Sequence, residues 1–310
     1  MELTGNLMHR RLECVPNVSE GRDKAVLRSL RAAIEQTPGA ALLDHSADPD
    51  HHRSVFTFAG APGPVADAVL ALARVAVETI DLRRHKGVHP RIGALDVVPF
   101  VPLDPSMLPE CVDLASRVAE RLWNELSVPV YLYGEAARRP ERRRLEQVRR
   151  GQFEGLVAAL PGDVERRPDI GGPALHQTAG AVAVGVRKFL IAFNVNLATP
   201  DLAAAKEIAR RVRESSGGLP AVKALGLPLG SRGLTQVSMN LTDYEQTSPR
   251  MAFEAVSAEA ASLGVSVVES ELIGLVPAGA LGPNDPELLR IRSFDPSMIF
   301  ENRLRDVLGA

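Results

Sequence analysis

One order of secondary-structure elements runs through the apolar pattern twice, and this repeat constrains the fold more than any other feature of the chain. LECVPNVS (12–19) reads as a short strand. A helix follows from Asp23 to about Gln36, with Ala25, Leu27, Leu30, Ala33 and Ile34 near helical spacing and Pro38-Gly39 beyond its end. ALLDHS (41–46) and SVFTFAG (54–60) are strand-like, Pro64 opens an Ala/Val/Leu helix to about Ile80, and IGALDVVPFVP (92–102) reads as a buried strand. That is β-α-β-β-α-β. KFLIAFNVNL (188–197), DLAAAKEIARRVRES (201–215), VKALGLPL (222–229), LTQVSMNLT (234–242), a helix from Met251 to Leu263 and VSVVESELIGLVP (265–277) repeat it. Asp96 stands six residues before Pro102 and Glu271 six before Pro277, while Asn17 and the pair Asn194 and Asn196 fall in the two first strands.

An internal duplication of about 100 residues follows from this agreement. The expected fold class is α/β (α+β): two βαββαβ ferredoxin-like subdomains with mixed sheets packed against helices. A ligand cleft or tunnel is expected between them, because clefts between units are preferred ligand sites. The division is placed near residue 180, giving subdomains 11–180 and 181–310. Between the repeats, 105–126 reads as an extra helix and VPVYLYGEA (128–136) as an extra strand. RRPERRRLEQVRR (138–150) reads as a basic helix with a solvated face. The Pro/Gly-rich stretch 161–181 is long for a connector, and long loops of this kind are often functional.

Thirty-six Lys and Arg against 38 Asp and Glu give a net charge of −2, which argues against a nucleic-acid or other polyanion binder. Two cysteines, Cys14 and Cys111, exclude a disulfide scaffold and a Cys-rich zinc site. The N-terminal residues lack a signal-type apolar run, and the apolar stretch 65–80 is broken by Asp67, Arg74 and Glu78. A cytoplasmic protein with no membrane partner is expected.

The densest polar cluster is RRHKGVHPRIGALD (83–96). His89 precedes Pro90, which favours an extended loop, and an imidazole there can take and give a proton near neutrality. The plainer alternative is a surface histidine among solvated charges. Asp96 lies inside a buried-strand pattern, where a carboxylate needs a partner: it either orients a nearby His or Arg or serves a structural salt bridge. In DHSADPDHHR (44–53) no metal-ligand spacing appears, so no metal is expected, and Arg53 is a candidate clamp for a carboxylate. The glycine-rich 171–185 matches no nucleotide-binding pattern, though it can lie across a flat ligand. No G-x-S-x-G is present.

Seven ordered segments carry a resemblance: ECVPNVSEGRD, LLDHSADPDHHRSVFTFAG, HKGVHPRIGALDVVPFVP, PVYLYGEAA, GVRKFLIAFNVNL, QVSMNLTDYE and SELIGLVPAGAL. Over residues 11–303 the chain resembles glutamate formimidoyltransferase, known as the first part of the bifunctional formimidoyltransferase–cyclodeaminase and as a stand-alone bacterial enzyme. The resemblance implies a homodimer that transfers the formimino group from N-formimino-L-glutamate to N5 of tetrahydrofolate, a step of histidine degradation. Tetrahydrofolate is then a co-substrate, and the length implies the monofunctional form.

The family's catalytic histidine falls on His89, with Asp96 beside it in the same motif. Its folate-contacting loop falls on Gly171, Gly172, Pro173, Ala174, Leu175, His176, Gln177, Thr178, Ala179 and Gly180. Ala179 stands where the mammalian pattern has Trp, and Ser46 where it has Asp. Both substrates carry glutamate carboxylates, so Arg53, Arg91 and Arg187 are candidate anchors. Asn17, Asn194 and Asn196 are candidates for orienting amide or pterin edges. Two alternatives stand beside this reading: a folate-dependent transferase with another formimino or formyl donor, and a non-catalytic small-molecule sensor built from paired βαββαβ units.

Overall fold

The computed structural model describes residues 10–87 and 89–309, the side chain of Ser231 excepted. The first nine residues, which lack a signal-type run, lie outside them. The chain forms two compact units, the first running to Arg187 and taking in Val307–Gly309, the second spanning Lys188–Asp306. The first contains β1 (Leu12–Cys14), β2 (Asn17–Val18), α1 (Lys24–Glu35), β3 (Ala40–Asp48), β4 (Arg53–Gly60), α2 (Pro62–Thr79) and β5 (Leu95–Pro102). It continues through α3 (Leu108–Leu126), β6 (Val130–Gly134), α4 (Leu145–Val148), α5 (Gln152–Ala159) and β7 (Val182–Val186). The second contains β8 (Ile191–Leu197), α6 (Leu202–Val212), β9 (Val222–Leu229), β10 (Leu234–Leu241), α7 (Pro249–Ser262) and β11 (Val267–Ile273). The short helices α8 (Asp285–Leu288) and α9 (Phe300–Leu308) follow.

In the first unit β1 and β2 act as one strand broken near Pro16, paired antiparallel with β4 on one side and β5 on the other, while β3 pairs with β4. The second sheet runs β11-β8-β10-β9. Matched element for element, the two orders are the same: fourth, first, third, second. The first sheet then extends past β5 through β7 to β6, both pairings parallel. The expectation of mixed sheets therefore holds for the first unit only, since all pairings of the second are antiparallel. The physical reason is connectivity. A parallel neighbour needs a long crossover, and the two added strands arrive through such connections, β6 through α3 and β7 through residues 135–181. The five residues of β7 lie between two strands, are all buried, and are a continuous Val/Ala/Gly run for that reason.

The helices begin where local chemistry allows. The Asp23 carboxylate accepts from the N–H groups of Ala25 and Val26 at 2.7 and 3.2 Å, and Pro62 opens α2, where its missing N–H costs nothing. Phe56, Phe58, Phe100, Leu30, Ile34 and Leu72 fill the core under α1, α2 and α3. On the other face of that sheet Tyr131, Tyr133, Val97, Val148 and Leu156 form a smaller cluster against α4 and α5. In the second unit Phe193, Val195, Ile208, Val237, Met239 and Val256 pack under α6 and α7. Among the described residues no helix is long and apolar enough to cross a membrane.

The basic run 138–150 is not one solvated helix. It folds as a 3-10 turn (Pro140–Arg143) followed by α4, and two of its arginines turn inward. Arg142 pairs with the buried Asp169 at 2.6 Å, and Arg149 pairs with the buried Asp96. Two carboxylates placed against the sheet require cations there, and this outweighs the solvation that a row of arginines otherwise seeks.

Candidate active site

His89 and Asp96 lie at the two ends of the turn that leads into β5. Asp96, 2% exposed, accepts through Oδ1 from the N–H groups of Ile92 (2.7 Å) and Gly93 (3.3 Å), and its Oδ2 pairs with Arg149. It thus fixes the turn and holds a cation, and among the described residues no hydrogen bond joins it to His89. His89 is half-buried, and its Nε2 accepts from Arg53 Nη1 at 2.6 Å. Burial, then the charges of Arg53 and Arg149, push its basicity down to about 3. Burial and the neighbouring Arg149 also lower Arg53. The Asp96 carboxylate thus pairs with Arg149 and acts on Arg53 only from beyond ion-pair distance.

A second network braces this turn from behind. The Glu20 carboxylate accepts from the N–H groups of Gly21, Arg22 and Asp23 and faces His52 Nε2 at 3.2 Å. Burial works to raise Glu20, but those N–H groups and His52 outweigh it and hold it below the usual carboxylate range. The His52 ring stacks on His85 at 4.2 Å. His85 faces the His52 carbonyl through Nε2 and accepts from Arg91 Nε at 3.0 Å through Nδ1; burial is the main cause of its lowered basicity. Arg91 also grips Glu154 with two bonds of 2.7 and 2.8 Å and reaches Gln152 and the His85 carbonyl. All five of its N–H donors are engaged, leaving none for a substrate carboxylate.

The 171–180 loop is joined to the same turn. Ala94 N–H donates to the Ala179 carbonyl and Ala181 N–H to that of Ile92, both at 2.9 Å. The approach is close enough to require glycine. A Cβ on Gly180 would lie 2.2 Å from the Ile92 carbonyl oxygen, and one on Gly93 2.0 Å from that of Ala181. His176 closes the loop by exchanging backbone hydrogen bonds with Gly180, and its Nδ1 accepts from Ala179 N–H at 3.0 Å. Pro173, Ala174, Leu175, His176 and Gln177 line one side of a cavity of about 720 Å³ whose other side is Phe153, Glu154, Val157 and Leu160 from α5 and its end. Gly171, Gly172 and Thr178 do not line it.

The remaining candidates are dispersed. Asn17 donates to the Val15 carbonyl at 3.1 Å, Ser46 is exposed on β3, and Arg187 at the end of β7 interacts with the buried Tyr133 hydroxyl. In the second unit Asn196 is fully buried on the sheet face opposite the helices. Its amide donates to Glu269 and Glu271 and accepts from Gln236 at 2.9 Å. Asn194 lies on the same face, two residues along. Arg149, Glu154 and Gln236 belong to these networks without any local pattern that marks them, whereas His52 and His85 stand in the polar segments 44–53 and 83–96. Only the odd placement of Asp96 in an apolar strand pointed toward Arg149.

The depressed basicity of His89 has a consequence for stability. The unfolded chain binds a proton there near about pH 6.5, whereas the folded chain does so only near pH 3. Between these values the unfolded state holds more protons, so the contribution is complete above about pH 6.5 and is lost as pH falls toward 3. Urea midpoints should therefore drop less between pH 7 and 4 in His89→Gln than in the wild type. Equal drops would show that His89 keeps ordinary basicity in the fold.

A neutral imidazole among cations thus lies on a turn bonded to a glycine loop, in the first of two units that share one ferredoxin-like strand order. The model of the formiminotransferase domain, N-terminal subdomain, matches residues 11–187, and that of the formiminotransferase domain matches 192–283. The glutamate formimidoyltransferase of Streptococcus pyogenes serotype M1 is 44% identical over 298 residues, covering 96% of this chain and 99% of that one. That of Thermoplasma acidophilum is 43% identical, covering 94% and 97%. The formimidoyltransferase-cyclodeaminase of Rattus norvegicus is 45% identical over 88% of this chain and 51% of its own length. The chain belongs to the formiminotransferase family, and it is a transferase.

Proposed function

We propose that this enzyme transfers the formimino group of N-formimino-L-glutamate to N5 of tetrahydrofolate, giving 5-formiminotetrahydrofolate and L-glutamate, with His89 as general base and then general acid. The observation that carries the reading is the neutral His89 in contact with Arg53 at the turn that Asp96 ties down. N5 attacks the amidine carbon and forms a tetrahedral centre. His89 takes the proton that N5 must lose and returns it to the departing glutamate nitrogen. Arg53, with Arg149 behind it, anchors a donor carboxylate. The 171–180 loop takes the folate. Holding both substrates in register supplies much of the remaining acceleration.

In this reading the enzyme serves histidine degradation and one-carbon metabolism in the cytoplasm as a homodimer. Purified protein is mixed with N-formimino-L-glutamate and tetrahydrofolate, acidified, and followed by the absorbance of methenyl-folate. A signal that needs both substrates is expected. Folate binding without a signal would make the donor wrong, and no folate binding would sink the reading.

A further inference from the structure

Arg53 Nη1 lies 2.6 Å from His89 Nε2. A guanidinium only donates, so the contact uses the lone pair of that nitrogen. A neutral imidazole carries one ring proton, so with Nε2 accepting, that proton sits on Nδ1. The one nitrogen able to act as a base is therefore the one that Arg53 covers.

Arg53 is itself an unusual cation. It is half-buried at the start of β4, and among the described residues no carboxylate lies within ion-pair distance of it. Arg149, from the end of α4, acts on both His89 and Arg53; its own charge is balanced by Asp96, and its Nε is buried without a partner. His51, from the turn between β3 and β4, also faces His89 with its ring 6.3 Å away, while Asp96 and Asp48 act on Arg53 from a greater distance. An arriving carboxylate offers Arg53 a better partner than the imidazole does. A carboxylate carries the opposite charge and accepts two parallel bonds from a guanidinium, whereas the imidazole nitrogen is neutral and accepts one.

We propose that Arg53 is a positioning residue that masks the Nε2 lone pair of His89 in the free enzyme, and that a carboxylate of the formimino donor draws it off, exposing the base only once the donor is seated. The inference rests on His89 being the base. No covalent step is involved, and Arg53 stays protonated throughout. Drawing the guanidinium away removes one of the nearby charges acting on the imidazole and frees its lone pair, so proton transfer becomes coupled to occupancy of the carboxylate site.

The test follows the His89 ring C–H signal of the full chain by NMR, assigned by its loss in His89→Gln. In the free wild type the ring should stay neutral through the weakly acid range. In free Arg53→Met it should titrate about two pH units higher, and saturating L-glutamate should move the wild-type titration upward as well. Arg53→Gln serves as a second variant if the methionine variant does not fold. A free wild-type ring that titrates near its ordinary value, or one that Arg53 variants leave unmoved, overturns the masking. The base assignment is judged separately. Normal turnover in His89→Gln removes it, whereas lost turnover with an unmoved titration removes the masking alone.

Discussion

Replacing His89 with glutamine should leave the chain folded and lower turnover by about 10²–10⁴-fold. The side chain is half-buried and lies in a loop, so its loss opens no cavity in the apolar core. The glutamine carbonyl can still accept from Arg53, which keeps the electrostatics of the turn close to the original. What disappears is a group able to hold a proton between two nitrogens. Turnover by the methenyl-folate readout, alongside the urea midpoint at pH 7, separates the two effects. Wild-type turnover in a folded variant would take His89 out of the mechanism.

Asp96→Ala should be as damaging for a different reason. Its carboxylate is the anionic partner of Arg149 and accepts from two backbone N–H groups, all in a buried setting. Removing one partner of a buried pair strands the other charge, an effect of about 3–5 kcal/mol. Turnover should fall with it, since the turn that ends in β5 also begins at His89. A double variant, Asp96→Leu with Arg149→Met, removes both charges and should regain much of the lost stability, because a buried pair often contributes little over well-packed apolar residues. A urea midpoint for Asp96→Ala within about 0.5 kcal/mol of wild type, the range of an ordinary surface substitution, would refute the role assigned to this pair.

Much of the fold is legible because it rests on periodicity. The duplicated order, the strands carrying Phe56, Phe58 and Phe193, and the helices with Leu30, Ile34 and Ile208 on their inner faces follow from alternating and helical spacing. The helix Gln152–Ala159 and the broken course of 138–150 do not. There the chain bends to bring Arg142 and Arg149 onto carboxylates more than 25 residues away in sequence, and no local pattern records a long-range ion pair. His89 is legible as a histidine before a proline. Its covered lone pair is not, because Arg53 reaches it from another strand. Arg91 reads from sequence as a free cation, yet its donors are consumed by His85, Gln152 and Glu154.

The matching strand orders of the two sheets have an evolutionary consequence. Strands β5 and β11 occupy equivalent places and carry an acid at the same distance before a proline, Asp96 in one and Glu271 in the other. The first faces the Arg149 guanidinium and backbone N–H groups, the second the side-chain amides of Asn196 and Gln236 and, at 3.7 Å, the guanidinium of Arg292. A frame present in two copies permits a division of labour, with each polar face free to drift while the hydrophobic side of its sheet stays under separate selection. Variation confined to Asn194, Asn196, Gln236 and Glu271 would then reshape one polar face while leaving the turn around His89 unchanged, a modularity that a single undivided sheet would not provide.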